Sequence, residues 1–366
     1  MSKLEYNELI AFHPGYYIKD IIEDMEITQE EFAKRLGVSG KTISKLLAGA
    51  IPLSNDIAIQ LSRMLGTSVN VWLKLQSTYD EKALEIEKRK KEDSEISIVS
   101  LIDYTYFTKY KLVTAAKNKS EQVKNLCKYL CIADLNILSK KDFLLNYRVA
   151  TTTLNEKNAI NSRIWIQVAI NCGKLNDTQP FNSKLLISYL PEIRSMTIQK
   201  PESFLPRLKQ IFDECGVSFV LLPHLKNSGI NGAVKWINSD KVILALNDRR
   251  NYADTFWFSL FHEIKHVLQQ KIKLLIVSTN KKEEITEIDN ELEQDADKFA
   301  QDYLIPKQDY IEFIGYNNFS RANVINFANK INIHPGIVVG RLQIDGFINF
   351  SNLNDLKEKY AIVFKH

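Results

Sequence analysis

The 366-residue chain is 45% apolar, 25% charged and 10% aromatic, with a net charge of +4. This is globular composition with material for two or three domains; no run of about 18 apolar residues exists to cross a membrane. Four cysteines without a CxxC pair argue against a disulfide scaffold or a thiolate zinc cluster. The opening MSKLEYNELIAFHPG lacks the basic start and apolar stretch of a secretory signal, so a cytoplasmic protein is expected.

Residues 1–80 read as short helices joined by tight turns. Thr28 and Glu31 have the spacing of a capping box, and Phe32, Ala33 and Leu36 share one helical face before Gly37 stops the helix. Ser39 caps a second helix carrying Ile43, Leu46 and Leu47. Ser54 starts a fourth helix, which Gly66 ends, and Thr67 or Ser68 a fifth. His13-Pro14-Gly15 is read as a turn before the first helix. Residues 81–95 are nearly all charged or helix-favouring, and are expected to form a charged helical linker and hence a domain boundary.

Charge sharpens the first domain. Residues 1–80 hold eight Lys/Arg and ten Asp/Glu, a net −2. Between Glu31 and Asp56, however, stand four bases (Lys34, Arg35, Lys41 and Lys45) and no acid. Such a face suits phosphate, although a solvated helix face accounts for the charge equally well. The two short helices joined at Gly37-Val38-Ser39 match a helix-turn-helix. The second would lie in the major groove, where Ser39, Lys41, Thr42, Ser44 and Lys45 meet bases or phosphates. Gln29, at the start of the preceding helix, is placed to meet the DNA backbone.

His13-Pro14-Gly15, the segment TQEEFAKRLGVSGKTISKLLAG, and Trp72-Leu73-Lys74-Leu75-Gln76 followed by Tyr79-Asp80 together resemble the HigA-type antitoxins, a branch of the Xre-like DNA-binding family. The resemblance spans about residues 12–80. It implies a five-helix domain that binds a palindromic double-stranded DNA operator as a homodimer, represses its own operon and often neutralises a toxin partner. Trp72, Leu73 and Leu75 are read mainly as core.

Residues 96–210 look mainly helical. Cys127 and Cys131 share a helical face with no His or further Cys nearby, and are read as core packing. From Gly216 the period changes: Val217–Leu222, Ala233–Ile237 and Val242–Leu246 are strand-like. Helical patterns return at 253–270, 290–304 and 320–330.

The strongest chemical signal is His262-Glu263-Ile264-Lys265-His266, an HExxH. At about 100° per residue, positions i and i+4 point the same way from one helix. Two imidazoles suit Zn²⁺, and Glu263, one step round, reaches a water rather than the metal as general base. In NELEQDADKFAQDYLIP, Glu293 and Asp297 share a helical face with Ala296 and Ala300, whose small size would let this helix pack against the first and deliver a carboxylate.

The pair of helices resembles the ImmA/IrrE metallopeptidases, in which the HExxH helix is followed by Glu-x-x-Ala-Asn/Asp and a later Leu-x-Pro. Here those residues are Glu293-Gln294-Asp295-Ala296-Asp297 and Leu304-Ile305-Pro306, over roughly residues 200–345. The resemblance implies His262, His266 and Glu293 as metal ligands, Glu263 as catalytic base, and Asp297 as a residue orienting a ligand histidine. Glu291 and Asp295 remain rival third ligands. Zn²⁺ is the implied cofactor, with Mn²⁺ also accepted by such a set. His334, flanked by Ile and Val, is read as packing.

The expected fold is α+β and mostly helical. Its parts are a five-helix helix-turn-helix domain (1–80), the linker (81–95), a helical middle region (96–210), a zincin-like domain with a small β-sheet and the HExxH helix (211–345), and an extension (346–366). The expected function is an antitoxin-type repressor carrying a zinc endopeptidase that cleaves a neighbouring protein regulator, another copy of the chain or its own linker. The alternative is a non-proteolytic metal- or ligand-sensing repressor that acts by binding DNA and a toxin.

Overall fold

The computed structural model describes residues 3–140, 147–148, 155–248, 252–272, 275–279 and 287–360. It divides into two compact units, Met1–Ser97 and Ile98–His366. No helix among the described residues is long and apolar enough to cross a membrane.

The first unit opens with an antiparallel hairpin, β1 (Lys3–Tyr6) and β2 (Leu9–Phe12), absent from the sequence reading. Five helices follow: α1 (Pro14–Asp24), α2 (Gln29–Leu36), α3 (Gly40–Leu47), α4 (Asn55–Leu65) and α5 (Val69–Leu101). His13 caps α1, its Nδ1 accepting from the Gly15 N–H at 3.0 Å. Gly15 has a packing reason as well, because a Cβ there would overlap the Leu46 carbonyl where α1 crosses α3. Ile18, Phe32, Leu36, Ile43, Leu46, Leu61 and Trp72 form the core. Gln76 fastens α5 beneath it, accepting from the Leu53 N–H at 2.8 Å.

The expected boundary at residue 80 is corrected. Residues 81–95 continue α5 and belong to the first unit. Ile86 is buried, the Tyr6 hydroxyl donates to Asp93 Oδ2 at 3.0 Å, and the Lys90 ammonium lies over the Tyr6 ring. The charge run is the wet side of a helix whose other side holds the hairpin, so it offers no extended segment to a peptidase.

In the second unit α6 (Tyr104–Lys109), α7 (Lys119–Leu130), α8 (Glu156–Leu175), α9 (Ser183–Ser195) and α10 (Pro201–Glu214) occupy the expected helical middle, interrupted by a short strand, β3 (Tyr147–Arg148). Then come β4 (Val217–Leu222), β5 (Ile230–Trp236), β6 (Val242–Asn247), α11 (Ala253–Leu268), β7 (Leu275–Thr279), α12 (Glu287–Leu304), α13 (Lys307–Gly315), α14 (Arg321–Lys330) and α15 (Pro335–Ile344). The sheet order is β3-β7-β5-β6-β4, with β3/β7 and β4/β6 parallel and the inner pairs antiparallel.

Both faces of this sheet are covered, which is why β6 reads as a continuous apolar run rather than an alternation. Val242, Leu244 and Leu246 join the core with α11, while Ile243 on the opposite face meets α8 at Gly173. The Ser218 hydroxyl donates to the Gly173 carbonyl at 2.8 Å, pinning α8 to β4. The expected split between 96–210 and 211–345 therefore disappears: helices from the first stretch cover a sheet from the second.

Two smaller expectations also change. Cys131 is exposed in the left-handed position that ends α7 (φ 55°) rather than in the core. The expected extension from 346 is partly core: Tyr360 is buried and accepts from Trp257 Nε1–H at 2.8 Å, and Lys359 bridges to Tyr252. Residues 361–366 of that extension lie outside the described residues.

Candidate metal centre and nucleic-acid interface

The two ligand-type histidines sit on α11, which the apolar face Phe256, Trp257, Leu260, Phe261 and Ile264 buries against the sheet. α12 lies beside it, with Ala296 and Ala300 both fully buried. Glu293 and Asp297, on the same helical face as those alanines, lie against His262. His262 Nε2 and His266 Nε2 are 3.0 Å apart. Glu293 Oε2 stands 3.3 Å from the first and Oε1 3.3 Å from the second.

These donor atoms form one cluster within 4.8 Å. Metal–ligand bonds of about 2.0–2.2 Å place the donors of a tetrahedral ion about 3.3 Å apart, so the residues present fit a face of that polyhedron. Of the rival ligands, Glu291 is exposed. Asp295 is engaged elsewhere, 3.1 Å from Lys265 Nζ and 3.0 Å from Gln269 Nε2. Lys265 also lies over the Phe299 ring, so its charge is directed to α12.

Carboxylates flank both histidines of the cluster. Asp297 Oδ1 lies 3.0 Å from His262 Nδ1. Burial pushes the His262 pKa down, but the Asp297 and Glu293 carboxylates override it and raise it to about 10. Burial likewise works to raise the Glu293 pKa, and the two histidines bring it down to about 2.

Glu263 lies one step round α11 and is fully buried, with the Ser278 hydroxyl of β7 facing its carboxylate. Burial raises its pKa, so it holds its proton more readily than a solvated glutamate. Gly232 on β5 faces it, and a Cβ there would collide with Glu263 Oε1.

Two residues of this site escape the sequence reading. Gly232 carries no local signal. Gln269 does: it lies three residues after His266 and therefore on the same helical face. Its Oε1 is 2.8 Å from His266 Nδ1. His334 takes no part; it caps α15, accepting from the Gly336 N–H at 3.1 Å, and lies 3.5 Å from Glu358.

In the first unit, α2 begins at the Thr28 cap and ends at Gly37 (φ 80°), and α3 begins at Ser39, which accepts from the Thr42 N–H at 3.1 Å. This tight turn leaves Gln29, Ser39, Lys41, Ser44 and Lys45 exposed and Thr42 half-buried. The Ser39 and Thr42 hydroxyls bond each other at 2.8 Å, so Ser39 caps α3 and both hydroxyls are engaged within the helix start. The four-base face narrows: Lys34 pairs with Glu30 at 3.1 Å and Arg35 with Glu31, whereas Lys41 and Lys45 form no ion pair among the described residues.

Residues 18–72 match a family described as Helix-turn-helix. The chain is 33% identical over 66 residues to an uncharacterized HTH-type transcriptional regulator, YddM, of Escherichia coli, a match covering 18% of this chain and 70% of that protein. It is 31% identical over 84 residues to virulence-associated protein I of Dichelobacter nodosus, covering 23% of this chain and 78% of that one. Antitoxin HigA-1 of Vibrio cholerae is 34% identical over 61 residues, covering 17% of this chain and 57% of that protein.

Proposed function

Because the chain belongs, through residues 18–72, to the helix-turn-helix family, we propose that it is a DNA-binding transcriptional regulator of antitoxin type whose second unit carries a zinc-dependent peptidase centre. The exposed face of α3, with Lys41 and Lys45 uncommitted to acids, supports contact with a DNA operator. The operator proposed is palindromic and bound by a homodimer. The likeness to an antitoxin supports a toxin protein as a further partner.

One observation carries the peptidase half: His262, His266 and Glu293 converge from two helices, with Glu263 on the same helix as the histidines. Bound there, zinc supplies Lewis acidity toward a peptide carbonyl and the attacking water. His262, His266 and Glu293 would hold it, and Asp297, 3.0 Å from His262 Nδ1, would orient that histidine. Mn²⁺ satisfies the same donors. Glu263, buried one step round the helix from the histidines, would take a proton from water and return it to the leaving amine. The resemblance of the two helices to the ImmA/IrrE metallopeptidases supports this reading. The substrate proposed is a protein: a neighbouring regulator or a second copy of the chain.

The test compares the zinc-loaded full-length chain with Glu263→Gln, each incubated with itself and with the products of adjacent genes. Fragments from the wild type alone support a peptidase; their absence from every mixture overturns it. A second reading, a non-proteolytic metal- or ligand-sensing repressor, is favoured by the complete burial of Glu263 and His266. In that reading Glu263→Gln leaves metal content and operator regulation intact.

A further inference from the structure

Gln269 follows the last residue of α11 and makes three bonds with its side-chain amide. Oε1 lies 2.8 Å from His266 Nδ1. Nε2 donates to the Leu292 carbonyl at 3.0 Å and to Asp295 Oδ2 at 3.0 Å. The two ends of a glutamine amide are told apart by their partners. A backbone carbonyl and a carboxylate only accept, so the NH₂ end must face α12. Oε1 then faces His266, where it can only accept, and His266 Nδ1 must carry the hydrogen.

A neutral imidazole has one N–H. With that hydrogen held at Nδ1, the lone pair is left on Nε2, the atom 3.0 Å from His262 Nε2 and 3.3 Å from Glu293 Oε1. The reversed amide would set its carbonyl against two acceptors. The same side chain also fixes the place of Glu293, because the carbonyl it grips belongs to Leu292, the preceding residue.

The geometry points to Gln269 as a positioning residue for the metal centre, dictating the tautomer of His266 while holding α12 at the distance Glu293 needs. This rests on the reading of His262, His266 and Glu293 as metal ligands. Gln269 acts through its carbonyl on His266 and through its NH₂ on α12, and two substitutions separate these roles. Gln269→Met keeps the volume and removes all three bonds; Gln269→Glu keeps an acceptor for Nδ1–H and loses the donors to α12.

The experiment measures zinc affinity of the metal-free full-length chain by chelator competition, and the visible absorption of its Co²⁺ form, for wild type, Gln269→Met, Gln269→Glu and His266→Ala. Zinc binding to wild type and about 10–100-fold weaker binding by Gln269→Met with a shifted cobalt spectrum are expected, with part of that loss recovered in Gln269→Glu, whose carboxylate accepts from Nδ1–H but faces the Leu292 carbonyl and Asp295. Equal affinity and spectrum in Gln269→Met overturn the inference and leave the metal centre standing. So does weaker binding by Gln269→Glu than by Gln269→Met when both also carry Asp295→Asn, which removes the carboxylate repulsion; that result marks a merely structural tie. A wild type that takes no more zinc than His266→Ala removes the metal reading, and this inference with it. Gln269→Asn, whose amide stops short of Nδ1, replaces Gln269→Met if that variant does not fold.

Discussion

Gly232 on β5 leaves the space that the Glu263 carboxylate on α11 occupies: a Cβ at that position would overlap Glu263 Oε1. Gly232→Ala is therefore expected to push Glu263 aside. If Glu263 moves the proton, turnover of a protein substrate falls at least about 100-fold, while zinc content, if set by the proposed ligands His262, His266 and Glu293, stays near wild type. Overpacking also costs about 1–3 kcal/mol of stability. Paired measurements of zinc content and cleavage decide it; a parallel loss of both would mean that Gly232 serves the ligands and not the base.

Arg194 on α9 secures the far end of the helix that carries Glu293. Its guanidinium donates to the Tyr303 carbonyl at 2.9 Å, to the Leu304 carbonyl at 2.9 Å and to the Ile331 carbonyl at 2.9 Å. These include carbonyls at the end of α12, where a cation is also favoured by the helix dipole. Arg194→Ala is expected to destabilise the second unit by about 2 kcal/mol, and Arg194→Lys to recover little, because an ammonium does not reproduce the planar fork. Urea unfolding of both variants provides the measurement, and full recovery in Arg194→Lys would contradict the fork argument.

The first unit carries its own pH dependence. His13 accepts from the Gly15 N–H through Nδ1 and is buried, and burial lowers its pKa. The unfolded chain takes up a proton near pH 6.5, which the folded domain resists. Stability of α1 and α3 is then expected to fall as pH drops through about 6.5 and to level off below the folded pKa. His13→Asn, which still caps α1, should flatten that response. Amide hydrogen exchange of the two helices at about pH 7.5 and about pH 5.5 reads it; identical profiles in wild type and variant would locate the pH dependence elsewhere.

On α3, Lys41→Ala and Lys45→Ala are each expected to weaken binding to any DNA sequence and to lower the salt slope by about 1. Ser39→Ala should act differently. Its hydroxyl caps α3 at 3.1 Å, so about 1 kcal/mol of domain stability is lost with the salt slope preserved. Titrations of the operator at several salt concentrations separate the two effects.

The HExxH set is legible because its geometry is local: five consecutive residues on one helix fix the directions of His262, Glu263 and His266 through the 3.6-residue period alone. Capping obeys the same logic, and Thr28, Gly37 and Ser39 mark α2 and α3 in the sequence as they do in the structure. Spacing on a second helix offered Glu291, Glu293 and Asp295 as third ligands without choosing among them by contact. The fold places Glu293 3.3 Å from each histidine, beside the buried Ala296 and Ala300, while Lys265 and Gln269 engage Asp295. Gly232 and the covering of the sheet by α8 depend on pairings between segments far apart in the chain, which no local pattern encodes. The charged run at 81–95 shows the same limit: its composition matches both a linker and a half-buried helix, and only the burial of Ile86 and the bond from Tyr6 to Asp93 distinguish them.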